Sequence, residues 1–252
     1  MKCSLVVGAA CAAAFVVTSA YADTLAGGSA TINFYESAWT NLASGFGAPP
    51  VLTLSGFFNQ AQAGTLSESQ LLITNPAPSV SYTNEVYGMN GSVVTNAAGQ
   101  YAQPTTFNFT PGQLTNATGV IGLGSVARFD VYGGAYGELL FGDYTLQYST
   151  SRLALGGSGW YLEGNIPPAA AAFDLLPSSL NIVQSAGSFT ISGELGVSYE
   201  VANYLFSTPS DTLADVGNFT FTGTDSVPEP SSIALVASGL GMLWLGRKRR
   251  RV

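Results

Sequence analysis

The sequence predicts an all-β chain whose body is a single β-sandwich ectodomain, jelly-roll-like or Greek-key. Two observations carry that prediction. Valine, threonine, tyrosine and phenylalanine recur in short runs punctuated by glycine, which at 30 of 252 residues is well above the usual share of roughly 7%. Apolar residues at the helical period never persist over a long stretch of the body, so strands joined by turns are the reading that remains.

The elements follow in order. Residues 31–35 form the first expected strand, with Ile32 and Phe34 alternating against Thr31 and Asn33. Pro49 and Pro50 break the chain, and 51–59 resumes it with Leu52, Leu54 and Gly56 on one face. Short strands are expected over 71–74 and 80–87. Asn90 and Gly91 favour the positive φ angles of a tight turn, which predicts a hairpin running on through Val93 and Val94. Residues 105–110 alternate around Phe107 and Phe109, and 126–132 with 136–141 read as a hairpin around Gly133 and Gly134. Strands over 144–148 and 160–163 come next, then one helical turn over 167–172. Residues 180–183 and 189–199 form a further hairpin. A second helical turn is expected over 210–215, with Ser210 as cap and Asp211 in the first turn. Residues 216–224 close the body, with Phe219 and Phe221 on one face.

The two ends read as targeting segments. In 1–22, Lys2 precedes an apolar run from Leu5 to Val17, and Ala20-Tyr21-Ala22 offers a small-x-small cleavage site. This is a signal peptide, handled by the Sec translocon and signal peptidase, with the mature chain starting at Asp23. In 225–252, an uncharged run from Ser231 to Gly246 is preceded by Pro228, Glu229 and Pro230 and followed by Arg247, Lys248, Arg249, Arg250 and Arg251. As a helix this run is about 24 Å long, a marginal transmembrane span against a hydrocarbon core of about 30 Å. The basic cluster holds its far end on the cytoplasmic side. The order and spacing of these parts resemble the PEP-CTERM sorting signal of Gram-negative bacteria. That resemblance implies processing at Pro228-Glu229-Pro230 by an exosortase. The helix is then a transient inner-membrane anchor, and the ectodomain, 23–224, is delivered to the cell surface or extracellular matrix. The stretch 142–221 is also similar to a surface-protein family of uncharacterised activity, and carries over no catalytic residue.

Charge and composition narrow the chemistry of the body. Both cysteines, Cys3 and Cys11, fall in the signal peptide, so burial alone must hold the body together in a compartment where disulfides form. Of the 8 basic residues only Arg128 and Arg152 lie in the body, against all the acidic residues except Glu229, and there is no histidine. Such a surface repels phosphate backbones, so no nucleic acid is expected as a partner. A serine nucleophile has no ordinary base here, and zinc sites built on histidine and cysteine are ruled out. No cofactor is expected. Residues 122–127 fit Gly-x-Gly-x-x-Ala, but strand-like residues follow where the dinucleotide fingerprint requires a helix.

The densest candidate constellation is Asp130, Glu138 and Asp143 beside Tyr132, Tyr136 and Tyr144. Carboxylates with aromatic faces can hold a sugar, and two suitably spaced acids can hydrolyse a glycosidic bond. The plain alternative is a solvent-facing hairpin with its aromatics on the core side. Asp211 and Asp215, one helical turn apart, offer oxygen ligands to Ca²⁺, with helix capping as the simpler role. The expectation is therefore an exported structural or adhesive protein of the envelope or biofilm matrix, not an enzyme. A carbohydrate-binding module that contacts extracellular polysaccharide is one alternative, and a carboxylate-dependent glycoside hydrolase is another.

Overall fold

The computed structural model describes residues 23–42, 51–76, 80–110, 112–132, 137–185, 187–205 and 208–225. The expected signal peptide, the motif Pro228-Glu229-Pro230, the sorting helix and the basic residues Arg247, Lys248, Arg249, Arg250 and Arg251 lie outside the described residues.

The body is all-β, as expected, but it is not a sandwich of two open sheets. Eight strands close into an antiparallel barrel: β1 (Asp23–Phe34), β3 (Glu85–Met89), β5 (Ile121–Gly124), β8 (Thr145–Tyr148), β9 (Trp160–Gly164), β10 (Ala170–Leu175), β12 (Ser188–Val197) and β13 (Asp215–Asp225), in that spatial order. Closure depends on β12. Its last residues pair with β10, Phe173 opposite Val197 and Leu175 opposite Leu195, while its other edge runs along β13. Its first half pairs instead with β11 (Asn181–Ser185). Alternating strands fit a sandwich and a barrel equally well; what decides is the pairing of β10 with β12, and closure removes edges that a sandwich leaves open. Inward positions follow the period of two. Ala30 and Ile32 lie opposite Phe221 and Phe219, and with Tyr87, Tyr144, Trp160, Phe173 and Phe189 they fill the interior. A barrel of this size has room for side chains and no channel.

A second, three-stranded sheet is made from β2 (Val51–Phe58), β6 (Val126–Tyr132) and β7 (Glu138–Gly142), in that order. β6 and β7 pair as the sequence predicts and extend two barrel strands. The chain turns out of β5 at Ser125 (φ 139°) and back into β8 at Asp143 (φ 47°). The inner face, with Leu52, Leu54, Phe129 and Phe141, joins the barrel core. Between them lies Trp39, from helix α1 (Glu36–Asn41), stacked on Phe129 at 4.3 Å with its indole N–H donating to the carbonyl of Val216. The outer face packs Phe58 and Val126 against Leu71 and Ile166.

Several local expectations are corrected. Residues 71–74 are not a strand. They end helix α3 (Glu68–Ile73), which a capping box starts: the Ser67 hydroxyl accepts from the Gln70 N–H, and Gln70 Oε1 accepts from the Ser67 N–H. Residues 170–172 belong to β10 and not to a helical turn, because pairing with β9 overrides alanine's helical preference. Asn90-Gly91 makes no hairpin turn. Asn90 is buried, its amide donating to the carbonyl of Gln103 and accepting from Nε2 of Gln60 in helix α2 (Gln60–Ala63), so it braces the loop after β3 across β5. The glycines of the Gly-x-Gly-x-x-Ala stretch connect strands, as the sequence indicates, and serve that brace: a Cβ on Gly124 would come within 2.9 Å of Asn90 Oδ1. No helix follows them. Asp215 begins β13 and Asp211 ends a 3-10 turn over Pro209–Asp211, so the two do not share a helical face suited to Ca²⁺.

Arg128, on the outer face of β6, is buried with no carboxylate partner among the described residues. Its guanidinium donates to the carbonyls of Leu71, Leu72 and Thr74 at 2.8 to 3.1 Å, where the dipole of α3 is negative. Arg128→Ala is expected to cost about 3 kcal/mol, because buried carbonyls lose their donor. A lowered denaturant midpoint with an unchanged slope would show it.

Candidate functional site

A groove of about 660 Å³ runs beside β7. All five residues of that strand border it, from Glu138 through Gly142. The opposite wall is the β9–β10 connection, with Gly164, Ile166, Pro167 and Ala170, and Val201 from the segment after β12. Leu72 of α3 completes the apolar lining. Three carboxylates stand among these apolar groups: Glu68 on α3, Glu138 on β7 and Glu200.

Glu200 is held from behind. Arg152 Nη1 donates to both its carboxylate oxygens at 2.7 and 2.9 Å, while Arg152 Nε donates to Asp174 Oδ1 at 2.8 Å. The guanidinium lies 5.2 Å from the centre of the Tyr161 ring. Burial works against its charge, but the hydrogen bonds and negative charges of Asp174 and Glu200 outweigh that and hold its pKa above the ordinary arginine value. Arg152 sits in a 3-10 helix, Thr150–Leu155, which Gly156 ends in the left-handed conformation.

The constellation expected from the sequence is only partly assembled. Asp130 and Glu138 are direct cross-strand partners at the end of the β6–β7 hairpin where the two strands connect, and Glu138 reaches the groove. Asp143 lies at the other end of β7, where the chain turns into β8. It is buried, its Oδ2 has no hydrogen-bond partner, and burial pushes its carboxyl up to about 7. It lines a separate pocket of about 210 Å³ with Gln60, Asn90, Asn96 and Gln100. Tyr136 and the side chain of Tyr132 lie outside the described residues. Tyr144 points into the barrel, 5.3 Å from Tyr87 between ring centres; burial pushes both phenols well above their usual range. The aromatic platform expected beside the carboxylates is thus missing at Tyr144.

Sequence reasoning missed Glu68, Ile166, Glu200 and Val201. They come from segments far apart in the chain, and only pairing across the barrel brings them together. The capping pattern at Ser67 and Gln70 was the one local signal that would have placed Glu68 in a first helical turn. Among the described residues no group of three or more acidic, histidine or cysteine side chains is placed to hold a metal ion. Comparison with family models, with curated proteins and with solved structures returned no match.

Proposed function

We propose that the chain is an exported surface or matrix protein of the bacterial envelope, sorted by an exosortase, which acts by binding and not by catalysis. The groove beside β7 carries this reading: it is open, largely apolar and bordered by carboxylates, on a barrel whose interior is filled. A hydrolase acting on glycosides needs a carboxyl kept protonated near neutral pH facing a second one. The two carboxyls that burial raises to about 7, Glu85 and Asp143, do not border this groove. Glu200, which does, is tied to a guanidinium. The sorting part of the reading rests on the resemblance at the C-terminus. Intact mass of protein released from the cell surface is expected to lack residues 1–22 and the basic tail. Retention of Arg247 to Arg251 would overturn the sorting.

One observation favours a carbohydrate-binding reading: the small pocket at Asp143 combines a buried carboxyl group with the amides of Gln60, Asn90, Asn96 and Gln100, groups that match sugar hydroxyls. In that case a glycan array shows one sugar class bound, and Asp143→Asn weakens it at least about tenfold above pH 7, where the carboxyl is ionised and its hydrogen bond is charge-assisted. An array with no hit would leave the pocket without this role.

A further inference from the structure

The geometry points to strand addition: the groove receives an extended peptide segment of another protein, rich in apolar and basic residues, which pairs with the free edge of β7. This deepens the binding role given to the groove above and rests on it, but it does not depend on how the chain is sorted.

Three observations carry it. First, among the described residues β7 is an edge strand, paired with β6 on one side only. The N–H of Val131 donates to the carbonyl of Gly137, which sets the phase of the ladder. In an antiparallel pair the inward-facing backbone groups recur every second residue. Leu139 and Phe141 therefore turn their backbone groups to β6, and Glu138 and Leu140 turn theirs outward. The same phase places the carbonyl of Gly142 outward, and it does accept from the N–H of Asn165, in the wall across the groove. Second, consecutive residues of β7 border the groove, so the opening faces the strand's edge and not one of its faces. An extended peptide lying there meets donors and acceptors along one side and the apolar wall at Ile166 and Val201 below.

Third, the charge calls for an occupant that the barrel itself cannot supply. Glu68, Glu138 and Glu200 stand around the groove. The body has no lysine, and both its arginines are buried and occupied. Another copy of the barrel would bring further carboxylates to the groove, so a segment with lysine or arginine is the complementary occupant.

The test uses the full-length chain, purified in mild detergent, and three fluorescent hexapeptides. One alternates lysine and valine. The second alternates glutamate and valine. The third is the lysine peptide with every second backbone nitrogen methylated. The expected result is saturable binding of the lysine peptide, weakened by salt. The glutamate peptide is expected not to bind, and backbone methylation is expected to lose at least about tenfold, because pairing along the edge is blocked. Gly164→Phe is expected to abolish binding and leave the melting temperature unchanged. A Cβ at Gly164 meets nothing closer than 3.7 Å, so the added ring can project into the groove. Equal binding of the methylated peptide would overturn strand addition, as would no binding by any of the three. If Gly164→Phe releases the protein from the cell surface while no peptide binds, strand addition falls and the groove keeps its binding role. If the peptides do not bind and Gly164→Phe changes nothing, both fall together.

Discussion

Arg152→Ala is expected to be among the most destabilising single substitutions in this chain, costing about 3–5 kcal/mol. Asp174 is fully buried on β10, and Arg152 is its only ion-pair partner among the described residues, with Nη2 2.5 Å from Oδ2. Truncation leaves that carboxylate in the interior with its compensating charge gone. The cost is that of an orphaned charge and not the worth of the pair, so the double variant Arg152→Met, Asp174→Leu should recover most of it. Arg152→Lys should not, because one ammonium cannot make the forked contacts that join Asp174 to Glu200. Urea denaturation of the four proteins would decide it. A single alanine variant within 1 kcal/mol of the parent would show that water reaches Asp174.

Stability is expected to fall as pH rises from about 5 to about 8. Glu85, buried on β3 with its neighbour Ile32, and Asp143 are both raised to about 7, by burial first, with a backbone hydrogen bond opposing in each case. The folded protein therefore keeps two protons that the unfolded chain releases near pH 4. Their stabilising contribution is complete below that pH and is lost as pH rises through 7. The combined loss should be about 3 kcal/mol, less than full linkage would give because solvent still reaches part of Glu85. The acidic surface adds a slope of the same sign through self-repulsion. The double variant Glu85→Gln, Asp143→Asn separates the two effects: denaturant midpoints at pH 5 and pH 8 should draw together in it. If the parent shows no difference between those pH values, the two carboxyls are solvated.

Strand positions were legible wherever alternation was strong and both neighbours lay close in sequence. β6 with β7, and β11 with β12, are local hairpins and appear where they were expected. β1 was placed too short: Asp23 to Ala30 carry little hydrophobic pattern, and pairing with β4 (Asn108–Phe109) and with the far end of β13 makes them a strand. Barrel closure was invisible because it rests on Phe173 meeting Val197 and Leu175 meeting Leu195, contacts that no local pattern announces. The Asn90-Gly91 signal misled for a physical reason, since a turn-forming asparagine is also a compact amide that can tie a loop to a strand. The groove was the least legible part. Of its carboxylates only Glu138 stood out in the sequence, because Glu68 and Glu200 acquire meaning only once the chain folds around Gly164 and Ile166.

The placement of both arginines in the interior has a biochemical consequence. From Asp23 to Asp225 the chain offers a trypsin-like protease just two cleavable bonds, after Arg128 and after Arg152, and both arginine side chains are engaged in the fold. With no lysine in this region, amine-directed labels and fixatives also find no side chain to modify. Limited trypsinolysis should leave the folded barrel whole and digest it only after denaturation, giving a direct readout of folding that needs no ligand.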